Sequence, residues 1–212
     1  MMDVKQLTKD AELGDAEAQF KLGTMYYDGE FFAKDIEKGM FWLEKAAAAG
    51  NVNAMINISI HWLYEVDDER KNHIGRLWGM AAAATGNSNA QFNYAVRLQN
   101  GDGGLADTRR AIRYYRFSAR QGNVDAQCNL ATALIEGYGV TQDIIKGVEL
   151  LNEALEQECV AAFYHAGHYL LDGVVVEHDI DLAHKLFTEA SKKGLWLADE
   201  VLENWDEYTE TY

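Results

Sequence analysis

Small and apolar positions recur along this chain with a period of 36 residues. Stepping from Gly14 by that interval lands on Gly50, Gly86, Gly122, Glu158 and Gly194. An alanine follows four residues later each time: Ala18, Ala54, Ala90, Ala126, Ala162 and Ala198. Leu22, Ile58, Tyr94 and Leu130 form a second column, and Tyr26, Trp62, Leu98, Leu134 and Leu170 a third. Within each unit the apolar positions fall four apart, as Ala126, Leu130 and Leu134 do, which is one face of a helix. Glycines then stop that helix at Gly29, Gly101, Gly137 and Gly173, because glycine tolerates left-handed backbone. An aspartate column, Asp35, Asp107, Asp143 and Asp179, supplies N-caps for a second helix. That helix carries a small residue (Gly39, Gly75, Ala111, Gly147 or Ala183) and then Trp42, Trp78, Tyr114, Leu150 or Leu186. Small residues in both helices let the two backbones approach closely. No proline interrupts the pattern.

The pattern predicts an all-α chain of five helix-turn-helix units, 14–49, 50–85, 86–121, 122–157 and 158–193. Residues 1–13 match the tail of a second helix, and 194–212 match a first helix with a polar outer face. Both read as caps, which repeat arrays need because each unit buries its face against neighbours. The expected organisation is therefore a single repeat domain over 1–212. Two departures stand out. The second unit reads EVDDERKNHIG over Glu65–Gly75, with no glycine turn, so its first helix is expected to run longer. The fifth opens on Glu158 instead of glycine.

Segments such as AELGDAEAQFKLGTMYYDG (Ala11–Gly29) and DIEKGMFWLEKAAAAG (Asp35–Gly50) resemble Sel-one-like repeats, relatives of the tetratricopeptide repeat. The resemblance covers almost the whole chain. It implies a right-handed α/α superhelical solenoid with first helices on the concave side. It also implies an adaptor that holds other proteins.

Composition agrees with a folded chain: 48% hydrophobic and 25% charged. No stretch approaches the roughly 18 consecutive apolar residues of a membrane helix. The start, MMDVKQLTKD, lacks the apolar core of a signal peptide, so a cytoplasmic protein without a membrane partner is expected. Cys128 and Cys159 make no disulfide framework and read as reduced core residues in first helices.

Columns that repeat build the rod, so function is expected where columns vary and face solvent. On the first helices those positions include Asn53, Asn57 and Tyr64 in unit two, Asn89, Asn93 and Asn100 in unit three, Asp125, Asn129 and Glu136 in unit four, and His165, His168 and Asp172 in unit five. Together they predict the floor of a partner-binding groove. The asparagines Asn57, Asn93 and Asn129 share a column, and amides pair with the backbone of an extended peptide. They equally suit hydrogen bonds to a neighbouring repeat. His165, His168 and Asp172, at i, i+3 and i+7, are also a conceivable transition-metal set, although such pairs arise readily by accident and no metal is expected.

Charge sharpens the picture. The chain carries 34 acidic and 19 basic side chains, a net of −15. Residues 123–212 hold 18 acids and 4 bases, so almost all the surplus lies there. Such a field repels nucleic acid and attracts a protein with a basic or amide-rich surface. Arg109, Arg113, Arg116 and Arg120 run against this trend as one stripe on the second helix of unit three. That stripe suits phosphate or an acidic protein. The columns also set Arg113 beside Glu149 and Arg120 beside Glu156, and inter-repeat ion pairing is the favoured use.

No phosphate loop, nucleophile elbow or zinc-protease motif is present. No catalytic residue or cofactor is therefore expected. The reading is a non-catalytic protein–protein interaction scaffold. The alternative is a cytosolic inhibitor or immunity protein that neutralises a basic toxin or enzyme with its acidic C-terminal half.

Overall fold

The 36-residue pattern reappears as helix ends, and its alanine column and the column after it as buried positions. The computed structural model describes residues 3–65, 68–173 and 175–209, and among these no strand occurs. The helices fall into two units, 1–107 and 108–212. The division passes through the third repeat, between its two helices.

The first unit contains α1 (Val4–Glu12), α2 (Ala16–Asp28), α3 (Ile36–Ala48), α4 (Val52–Ile60), α5 (Glu69–Ala84) and α6 (Ser88–Asn100). The second contains α7 (Thr108–Ala119), α8 (Val124–Glu136), α9 (Ile144–Glu156), α10 (Val160–Asp172), α11 (Ile180–Lys192), α12 (Trp196–Glu203) and α13 (Trp205–Thr209). Within each unit every helix packs on the next in the chain. That is the α/α solenoid arrangement, with α2 to α11 as the repeat helices and α1, α12 and α13 at the ends.

All six residues of the alanine column are buried, as are Leu22, Ile58, Tyr94 and Leu130 of the next. Alanine and glycine there let helix backbones close on one another. A Cβ on Gly147 would stand 2.9 Å from the Ala131 carbonyl oxygen and 3.0 Å from the Ile135 nitrogen. Trp42 is buried with Leu22 and Ala18, and Trp78 packs beside Leu43 and Ile58, so both serve the core. Asp35, Asp143 and Asp179 cap α3, α9 and α11 by accepting from the backbone N–H of Lys38, Lys146 and Leu182.

A second cap column escaped the sequence reading. Asp15, Asn51, Asn87 and Asn123 each accept from the N–H three residues on and start α2, α4, α6 and α8. Cys159 and Leu195 take the same place before α10 and α12 without a side-chain bond to the cap N–H groups. Cys159 thus precedes its helix, whereas the spacing had put it inside.

The second repeat departs where its sequence does. After α4 the helix widens into a π turn over His61–Glu65. Asp68 then caps α5 three places ahead of the usual column, accepting from the Arg70 N–H, and α5 runs 16 residues. A longer second helix absorbs the residues that form a glycine turn in the other repeats.

Candidate interaction surfaces

The first-helix positions singled out by their columns divide between exposed and half-buried. In the first unit Asn53, Tyr64, Asn89 and Asn100 are exposed, with Asn57 and Asn93 half-buried between them. In the second unit Asp125, Glu136 and Asp172 are exposed, and Asn129, His165 and His168 half-buried.

The first unit carries a small pocket on this face. Thr24, Tyr27 and Asp28 of α2 and Asn57 and Ile60 of α4 enclose about 170 Å³ above Leu43. Tyr27 is held by a 2.9 Å hydrogen bond between its hydroxyl and Nδ1 of His61, the first residue of the π turn. Sequence spacing pointed to Asn57 but not to Tyr27 or Leu43, which pack in the core of this unit.

Tyr64, near the end of the π turn, donates its hydroxyl to Asp102 Oδ2 at 2.7 Å. Beneath it lies Arg97, which is only 4% exposed. Gly79 makes room for this guanidinium: a Cβ there would meet its Nη1 at 3.1 Å. Burial lowers the Arg97 pKa, while Tyr64 and Asp102 oppose the shift. Burial, followed by Asp102, raises that of Tyr64. The π turn therefore positions an exposed tyrosine over a buried cation.

In the second unit several predicted groove residues are engaged by neighbouring repeats. Asn129 hydrogen-bonds Tyr115, whose phenol burial pushes up to about 12. Glu136 accepts from the Tyr169 hydroxyl at 3.1 Å. Burial, then this carboxylate, raises the Tyr169 pKa. Asp125 lies 3.7 Å from the Cys159 sulfur, which donates to it. Both cysteines are buried and free, and Cys128 hydrogen-bonds Cys159. That bond lowers the Cys159 pKa, against burial, and raises that of Cys128.

His165, His168 and Asp172 are not brought together as a ligand set: among the described residues no group of three His, Cys, Asp or Glu could hold a metal. His168 instead packs edge-on against Tyr164 at 4.6 Å and Phe187 at 5.0 Å between ring centres. Burial lowers the pKa of both histidines.

The arginine stripe also differs from expectation. Among the described residues no ion pair joins Arg113 to Glu149 or Arg120 to Glu156, and the recorded pairs lie elsewhere. Arg116 and Arg120 instead face a cleft shared with Lys146.

Paired helices stacked by a repeat of fixed period, with polar side chains on the first-helix faces, define a helical-repeat protein of the tetratricopeptide-like class. No helix is long and apolar enough to cross a membrane among the described residues. The chain belongs to the Sel1 repeat family, matching it over residues 16–51, 88–123, 124–159 and 160–195. The stretch left unmatched between 51 and 88 holds the π turn and the displaced cap. Proteins of this family generally mediate protein–protein interactions on a non-catalytic scaffold.

A protective antigen with this fold from uropathogenic Escherichia coli, c5321, is 27% identical; the match covers 93% of this chain and 42% of that one, with a TM-score of 0.81. The chain thus spans less than half of that relative. A Sel1 repeat protein from Oxalobacter formigenes is also 27% identical, over 90% of this chain and 78% of that one, with a TM-score of 0.78. A Klebsiella pneumoniae Sel1 repeat protein, 22% identical, covers 98% of this chain and 100% of that one and shares the fold at a TM-score of 0.56. No curated protein matches the chain.

Proposed function

We propose that the chain is an adaptor that holds a segment of a partner protein against its first-helix face. The observation that carries this reading is the 170 Å³ pocket between α2 and α4. It is smaller than the roughly 300–1,000 Å³ of small-ligand sites and suits one side chain of a docked peptide. Leu43 and Ile60 supply its apolar contact, and the Asn57 amide on its wall has both a donor and an acceptor for peptide backbone. Asp28 beside it favours a basic residue in the partner.

The test begins with a partner captured on the immobilised protein from its host and identified. Asn57→Ala combined with Ile60→Glu is expected to weaken that partner's binding at least about ten-fold, with the helical circular dichroism unchanged. Full affinity in a folded double variant would remove the pocket from the reading. Asn93→Ala probes the rest of the column more cleanly than Asn129→Ala, which also breaks the Tyr115 bond.

A second reading, an inhibitor covering a basic toxin or enzyme, is favoured by the 18 acids against 4 bases in residues 123–212. It requires that the captured partner lose an activity when bound.

A further inference from the structure

On the second-helix side of the second unit, a cleft of about 770 Å³ lies between the end of α7 and the start of α9. Its floor is apolar: Leu130 and Leu134 of α8 and Leu150 of α9. Its rim is cationic: Arg116 on α7 and Arg120 in the turn just after it, with Lys146 on α9. This convergence runs against the charge of the surrounding sequence. From Gln121 to His184 the chain has eleven Asp or Glu and one Lys or Arg, and that one is Lys146.

None of the three cations enters an ion pair among the described residues. Asp143 is the acidic residue on the lining, and its Oδ1 accepts from the Lys146 backbone N–H at 3.2 Å as the cap of α9. Gln142 closes the wall by donating its amide to the Ile135 carbonyl at 2.8 Å. The cleft is thus braced by its own hydrogen bonds, and its charged groups are left exposed at the rim.

We propose that this cleft binds an acidic peptide segment of a partner protein, with Asp or Glu carboxylates on Arg116, Arg120 and Lys146 and an apolar side chain on the leucine floor. Guanidinium forks match carboxylates two bonds at a time. The floor requires an apolar group that a free phosphate lacks. The exposed cations gain most from a partner broad enough to cover them and exclude water. This ligand is opposite in charge to the one proposed for the first-helix face, so the two sites are separable.

The probe is a fluorescein-labelled peptide alternating glutamate and leucine, followed by fluorescence anisotropy at physiological salt. Saturable binding is expected. Arg116→Glu with Arg120→Glu should weaken it at least about ten-fold, and Lys146→Glu should weaken it comparably. Arg109→Glu, on the same helix but outside the cleft, should leave it near the parent value. All four residues are exposed, and helical circular dichroism checks that each variant folds. Absence of saturable binding in the parent would overturn the proposal. So would an equal loss with Arg109→Glu, which would mark diffuse attraction. Equal affinity for a peptide with serine in place of leucine would overturn the floor. Tight binding of inorganic phosphate without peptide binding would reassign the cleft to a small anion.

Discussion

Glu158 is the described non-glycine residue with positive φ, at 59°. Its column otherwise holds Gly14, Gly50, Gly86, Gly122 and Gly194, with φ between 85° and 98°. A side chain in this region costs about 1–2 kcal/mol, because Cβ crowds the following carbonyl. The Glu158 carboxylate recovers part of that by meeting Lys193 Nζ at 3.0 Å. Such an exposed pair contributes about 0–1 kcal/mol. Glu158→Gly is therefore expected to stabilise the protein by about 0.5–1 kcal/mol, read as a higher urea midpoint with an unchanged slope. A lower midpoint would mean that the Lys193 contact outweighs the backbone strain.

At the scale of one element, α10 shows how packing overrides a surface pattern. Its His165 and His168 sit where solvent-facing positions were expected, yet both are half-buried. His168 lies between Tyr164 and Phe187. Burial depresses both histidine pKa values, with Glu136 opposing at His165 and Asp172 opposing at His168. The unfolded chain titrates near the ordinary value of about 6.5. Below that pH it takes up protons that the folded chain refuses, so stability is full above about 6.5 and falls as pH drops toward the folded values. His168→Phe keeps an aromatic ring against Phe187 and removes one titration. The drop in melting temperature from about pH 7.5 to 5.5 should be smaller in His168→Phe than in the parent. An identical drop would show that His168 contributes nothing to the acid sensitivity.

Across the whole molecule the dominant quantity is charge. A net of −15, concentrated in residues 123–212, makes a field that attracts positive charge, so any partner with a basic surface would be steered toward the chain. Salt screens that steering over about 8–10 Å at ordinary ionic strength. For a basic partner the association rate should fall several-fold as salt rises, while the dissociation rate changes less. Stopped-flow mixing across a salt series measures both, and a salt-independent association rate would remove the steering. The acidic peptide proposed for the Arg116–Arg120–Lys146 cleft meets the opposite long-range sign. Its recognition must therefore come from short-range contact.

The amino-acid sequence by itself determined the repeat, the helices, the glycine turns, the Asp caps and the buried columns. Ala18, Leu22 and Gly29 declare their roles by spacing and residue type, because helix period, capping and left-handed turns are local properties of the backbone. The anomaly in the second repeat was legible too, as a missing glycine, but its form was not. A π turn over His61–Glu65 and an early cap at Asp68 depend on how α4 and α5 settle against each other. The tertiary structure alone decided which surface residues are available. Asn129 and Asn57 share a column, yet the first bonds Tyr115 and the second lines a pocket. Arg120 shares a cleft with Arg116 and Lys146 and does not pair with Glu156, the glutamate that its column aligns. Cys128 and Cys159 become hydrogen-bonded neighbours from different columns. Each outcome rests on contacts between helices of successive repeats, where side-chain direction and helix offset choose the partner, and a one-dimensional pattern carries neither.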